Sequence, residues 1–175
     1  VEKWCREWPR AAPGRVRCER FGTSPEGRPM LALVASGPKG RRPSPTRRDR
    51  AVVLAIGGIH AGEIDGKDAG DLFLREWLLE RKGRYPNATL VFVPVFNVDG
   101  HERFGPHNRP NQDGPRETGF RTTSANLNLN RDFAKADAPE MRALLGLVRR
   151  WDPDVVLDLH VTDGADFPAD IAVVV

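Results

Sequence analysis

The sequence predicts an α/β fold, a sheet of largely buried strands covered by helices. Short apolar runs rich in β-branched residues alternate with segments of helical periodicity. The clearest runs are "AVVLAIGG" at 51–58, "TLVFVPVFN" at 89–97 and "DVVLDLHV" at 154–161. Such alternation is the mark of strands packed beneath helices. The length of 175 residues suits one domain with a core of its own. Hydrophobic residues at 39% and charged residues at 29% are the balance of a soluble globular chain.

Taken in order, residues 1–20 read as a lead-in segment to a single domain spanning 1–175. The first ten residues lack the apolar stretch of a signal peptide, and no run of eighteen apolar residues predicts a membrane span. Cys5 and Cys18 are the only cysteines; they have no metal-type spacing, and both a disulfide and two free thiols remain open. Residues 21–36 predict a turn followed by a strand from about Met30. The basic run "KGRRPSPTRRDR" at 39–50 holds much of the net charge of +3. It reads as a solvated loop, because nucleic-acid binding would call for aromatic residues between the charges. After the strand at 51–58, a helix is predicted over 66–82, with Ala69, Leu72, Phe73 and Leu79 at near-helical spacing and Gly83 as its C-cap. "NAT" at 87–89 matches a glycosylation acceptor, a short and weak signal. Residues 98–128 form a long stretch rich in Gly, Pro, Asn and Arg, and loops of that length usually carry function. A second helix is predicted near Asp137, with Asp137 as N-cap, Glu140 as its capping partner and Pro139 in the first turn. "DVVLDLHV" predicts a third core strand and "IAVVV" at 171–175 begins a fourth.

The chemistry concentrates where strands end. His60 and Glu63 lie three apart in "GGIHAGEIDG", directly after the strand at 51–58, and His160 closes the strand at 154–161. Ligands collect at the C-terminal ends of strands in sheets of this kind. A catalytic zinc ion takes three protein ligands from nitrogen and oxygen donors and keeps a position for water. His-x-x-Glu supplies two of them if the chain turns sharply into a helix, and Gly57, Gly58 and Gly62 permit such a turn. His160 is the candidate third ligand. His101 and His107 compete for that role but have no carboxylate partner on a rigid element, so they read as loop histidines. Arg121 in "GFRTT", with Asn130 and Arg131 in "NLNLNRDF", supplies guanidinium forks and an amide suited to a carboxylate. The bland alternative is that these arginines pair with structural acids such as Asp132.

Six segments in order, "EGRP", "GGIHAGE", "NVDG", "GFRTT", "NLNRDF" and "DLHVTDG", resemble the zinc metallocarboxypeptidases of the carboxypeptidase A kind. The resemblance runs from about residue 21 to 167. It implies a three-layer sandwich with a mixed eight-stranded sheet covered by helices, of which this chain carries the first half to two-thirds. It implies one Zn2+ per chain on His60, Glu63 and His160. Arg121 would polarise the scissile carbonyl and stabilise the oxyanion. Asn130 and Arg131 would hold the free C-terminal carboxylate of a peptide substrate. No nucleic acid and no membrane span belong to this reading, and family habit implies a secreted or periplasmic location.

Two departures accompany the resemblance. The family's general-base Glu and its substrate-capping Tyr are expected beyond residue 175. Asn128 stands where pancreatic-type members have an Asp that orients the first zinc histidine; an amide accepts the same hydrogen bond but raises the ring's basicity less. Two other readings stay open. One is a zinc amidohydrolase on N-acyl amino acids or peptidoglycan-type peptides. The other is a non-catalytic module that binds C-terminal carboxylates.

Overall fold

The computed structural model describes residues 1–37, 44, 46, 50–81, 84–110, 116–161 and 173. The strand expected at 171–175, the cap at Gly83 and most of the basic run at 39–50 lie outside the described residues.

Five strands form one mixed sheet: β1 (Val16–Thr23), β2 (Pro29–Ser36), β3 (Ala51–Gly57), β4 (Ala88–Val93) and β5 (Val155–Leu159), in the order β1-β2-β4-β3-β5. β2 runs antiparallel to β1 and β4, whereas β3 runs parallel to β4 and β5. Side chains alternate between the two faces with the period of two that a strand imposes. Met30, Ala32, Val34, Leu54, Ile56 and Val91 face helix α4 (Pro139–Trp151), which contributes Met141, Leu144, Leu147 and Trp151. Leu33, Ala35, Ala55, Leu90 and Phe92 face the other side, against α1 (Glu2–Ala11) and α2 (Asp65–Arg75). The result is three layers around a mixed sheet, as expected. Full burial of each large apolar side chain contributes about 1.5–3 kcal/mol.

The segment before residue 24 is more ordered than its sequence suggests. β1 carries Arg17 and Arg20 at a sheet edge, where charges discourage further pairing, while Glu19 is buried and accepts from Arg150 and Trp151. Helix α1 buries Trp8 against the α2 face, and a disulfide between Cys5 and Cys18 ties it to β1. The thiols that composition left open are therefore paired.

Three expectations about individual elements need correction. The stripe Ala69, Leu72, Phe73 and Leu79 is not the face α2 buries: Leu72 is 64% exposed, and Leu74, Trp77 and Leu78 face the sheet instead. Two causes combine. Contact with the sheet runs through Gly66 and Gly70, where a methyl group would overlap Leu159 and the Phe92 ring, and glycines are invisible to an apolar count. The helix then ends in a π-turn over Glu76–Glu80, whose wider winding rotates the later side chains out of the 3.6-residue register. Second, α4 is capped by neither Asp137 nor Glu140. Its N-cap is Ala138, and the Asp132 carboxylate accepts from the backbone N–H groups of Asp137 and Ala138, both at 2.9 Å. Pro139 does occupy the first helical turn. Third, β5 is not a core strand among the described residues. It lies at the sheet edge, and Val155, Val156 and Leu157 are each about half exposed.

Candidate metal centre

β3 delivers the chain to the centre and a glycine turn aims it. Gly58 and Gly62 have φ of +60° and +95°, a left-handed conformation that other residues enter at a cost. The turn is pinned from the segment after β4: Phe96 N–H donates to the Gly57 carbonyl at 2.9 Å and Asn97 N–H to the Gly58 carbonyl at 3.0 Å. His60 and Glu63 emerge from this turn buried, at 1% and 2% exposure. β5 runs beside β3, with Gly57 in register with Leu159, so His160 emerges next to them.

His60, Glu63 and His160 each offer a ligand atom, and these atoms lie within 4.8 Å of one another. His60 Nδ1 is 3.0 Å from Glu63 Oε1, and the His60 and His160 rings meet edge to face at 5.1 Å. A tetrahedral ion about 2.1 Å from each donor would set neighbouring donors about 3.4 Å apart. The buried pair lies about 0.4 Å inside that spacing. His160, with 29% of its side chain exposed, has freedom to close the remainder. Two imidazoles and a carboxylate are the donor set a catalytic zinc ion takes, so the residues fit the metal.

The surroundings orient these donors. Asn128 Oδ1 lies 3.0 Å from His60 Nε2, which turns Nδ1 toward Glu63; the expected amide-for-carboxylate contact is present. Asn128 also accepts from the Asn130 backbone N–H at 3.0 Å. His160 Nδ1 faces Asp158 at 3.1 Å, and that carboxylate raises the imidazole's affinity for a proton. Burial by itself would push the Glu63 carboxyl up, yet hydrogen bonds to His60 and Arg109 and their charges bring it below the ordinary carboxylate value. Glu63 is thus held ionised, the form that binds a cation.

The remaining predicted residues fall at graded distances. Arg121 Nη1 is 4.0 Å from Glu63 Oε1, with 39% of its side chain exposed. Its backbone is fixed by Asn97, whose amide donates to the Arg121 and Thr122 carbonyls at 3.2 and 3.0 Å. The Asn130 side chain lies 3.1 Å from His160 Nε2. Arg131 is exposed and donates to the Asn130 carbonyl at 2.9 Å. Asp132 spends both oxygens on the backbone that caps α4, so it is not the acid that occupies Arg131.

His101 departs from its reading as a loop histidine. It sits in a short helix, α3 (Val98–Glu102), with Nδ1 buried and unpartnered, and burial lowers its pKa to about 4. His107 is exposed in a turn. The sequence reasoning passed over Arg109, which donates to Glu63 Oε1 at 2.8 Å. It also passed over Asp99, fully buried and bonded to Ser24, Arg28 and Ser124. Arg109 has no local sequence signal, since it acquires its partners only through folding; Asp99 lies inside the "NVDG" segment, but its partners Ser24, Arg28 and Ser124 are distant in sequence.

Two imidazoles and a carboxylate at the ends of adjacent parallel strands are positioned to bind a metal ion, and they are the donor types that zinc takes. A family model, zinc carboxypeptidase, matches residues 1–165, and the chain belongs to that family. Mouse carboxypeptidase D is 30% identical over 165 residues, which cover 79% of this chain and 12% of that protein. Mouse carboxypeptidase A6 is 29% identical over 140 residues, covering 74% of this chain and 30% of that protein. The structure of carboxypeptidase A from Helicoverpa armigera superposes with a TM-score of 0.70 at 19% identity, over 93% of this chain and 44% of that one. The chain thus spans between 12% and 44% of the length of these proteins. No helix among the described residues is long and apolar enough to cross a membrane.

Proposed function

We propose that this chain is the metal-holding portion of a zinc-dependent carboxypeptidase, the N-terminal part of one catalytic domain over residues 1–175. The observation that supports it most is the convergence of His60, Glu63 and His160 from the ends of β3 and β5. When bound there, zinc supplies Lewis acidity and brings the pKa of a coordinated water toward 7. The protein's own residues do the rest. His60, Glu63 and His160 hold the ion, with Asn128 fixing the His60 ring. Arg121, half-exposed at the rim, polarises the scissile carbonyl and meets the charge that develops on its oxygen. Asn130 and Arg131 grip the substrate's free terminal carboxylate, and the exposed Arg131 fork is available for a bidentate contact. The substrate is a peptide, with no role for nucleic acid. The disulfide between Cys5 and Cys18 supports a secreted or periplasmic location, where such bonds persist.

The test uses the full-length protein and paired peptides with free or amidated C-termini. Release of the last residue from the free peptide only, lost on chelation and restored by zinc, is the expected result. Equal cleavage of the amidated peptide would favour an amidohydrolase. Binding without turnover would favour a carboxylate-binding module.

A further inference from the structure

Arg109 is a buried cation at the metal centre that the ligand set and the carboxylate grip leave without a role. It comes from the 98–128 segment, yet it is only 9% exposed. The segment is braced on both sides of it. Gly105 and Thr118 exchange backbone hydrogen bonds at 3.0 and 3.2 Å. Asn108, the preceding residue, donates its amide to the Arg103 and Thr118 carbonyls at 2.6 and 2.8 Å. Gly119 then packs so closely that a methyl group there would stand 2.8 Å from Ala61 Cβ. The guanidinium is therefore delivered to the centre by a folded loop rather than by a free side chain.

Its two contacts fall on one turn. Nη2 donates to Glu63 Oε1 at 2.8 Å and Nη1 to the Ala61 carbonyl at 3.4 Å. We infer that Arg109 is a positioning residue of the metal centre, which fixes the Glu63 carboxylate as a ligand by clamping it to the backbone of the turn that bears it. A carboxylate has two oxygens and a rotatable terminal bond, so a metal ligand of this type needs outside partners to hold one orientation. Here Oε1 is held by Arg109 and faces His60 Nδ1 across 3.0 Å, while Oε2 is 3.5 Å from the Val161 N–H beside His160. Without the guanidinium, Oε1 loses the partner that fixes its orientation. Lysine keeps the charge but, as a single ammonium on a flexible stem, does not reproduce a planar fork reaching both acceptors.

The inference rests on reading His60, Glu63 and His160 as zinc ligands, and the experiment separates the two. The zinc dissociation constant of the full-length protein is measured by competition with a chromophoric chelator, with folding of each variant followed by circular dichroism. Arg109→Met is expected to weaken zinc binding by about 10–100-fold, the usual effect of losing a ligand's orienting partner. Arg109→Lys is expected to recover part of that loss. If Arg109→Met does not fold, Arg109→Lys decides the matter, with weakening of roughly tenfold expected from the same principle. A merely structural arginine would lower the melting temperature and leave the zinc dissociation constant of the folded variant unchanged, which overturns the inference. Tighter zinc binding in either variant also overturns it, since Arg109 would then act as a repelling charge. A wild-type protein that binds no zinc overturns the ligand reading and this inference with it.

Discussion

Gly66→Ala tests whether the α2–β5 contact sets the geometry of the metal centre. Gly66 lies in the first turn of α2, three residues after Glu63, and packs against the last residue of β5. A β-carbon there would stand 2.6 Å from Leu159 Cβ and 2.9 Å from the Leu159 carbonyl oxygen, neither of which is the free end of a side chain. Restoring ordinary contact requires the two elements to separate by about 0.8 Å. Metal–ligand distances tolerate only about 0.2 Å, and Leu159 directly precedes His160 while α2 directly follows Glu63. The separation therefore falls between the two halves of the ligand set. Overpacking costs about 1–3 kcal/mol, against about 1 kcal/mol gained from replacing a helical glycine with alanine. The expected net loss is about 0–2 kcal/mol of stability, with zinc affinity reduced at least tenfold. The control is Gly146→Ala in α4, where no atom lies within 4 Å of the new methyl group. That variant should gain up to about 1 kcal/mol and bind zinc normally. Thermal unfolding and chelator competition read both quantities. If Gly66→Ala matches Gly146→Ala in zinc affinity, the contact does not position the centre and the reasoning fails.

Other outcomes follow from single contacts. Asn128→Asp places a carboxylate on His60 Nε2 in place of an amide at 3.0 Å, so zinc should bind more tightly, by up to about tenfold; an unchanged dissociation constant would contradict the orienting role. His101, with its pKa lowered from 6.5 to about 4, stays neutral in the folded protein while the unfolded chain takes up a proton. Stability should therefore fall as the pH drops through that window, by roughly 3 kcal/mol in all, and be fully present above it. Denaturant midpoints from pH 7 to 4 in wild type and His101→Gln check this (roughly the span of the two pKa values), and parallel curves would refute it. Reducing Cys5–Cys18, which closes a loop of 13 residues, should cost about 3 kcal/mol of stability, visible as a lower denaturant midpoint with reductant present.

The parts of the fold that sequence exposes are those whose signal is local. β3 and β4 are buried on both faces, so they appear as continuous apolar runs, and the glycine turn after β3 announces itself by composition. His60 and Glu63 stand out because they follow the apolar run of β3, and His160 because it closes the strand-like segment at 154–161. α1 and β1 were not: one has few apolar residues and relies on a disulfide, and the other is a charged edge. The face of α2 was misjudged because glycines make its contact with the sheet and a π-turn breaks its period. The sequence points to Asp137 as the cap of α4, whereas the N-cap is Ala138 with no side-chain cap bond, and Asp132 accepts from the Asp137 and Ala138 N–H groups just ahead of the helix, an arrangement that depends on how the preceding turn folds. Arg109 lies 46 residues from Glu63 and has no periodicity or spacing that would single it out.

The most direct measurement is anomalous diffraction at the zinc edge from crystals of the full-length protein. One ion should appear about 2.0–2.2 Å from a ring nitrogen of His60, a carboxylate oxygen of Glu63 and a ring nitrogen of His160. An ion on any other set of side chains, or no zinc in protein prepared without chelators, would contradict the account.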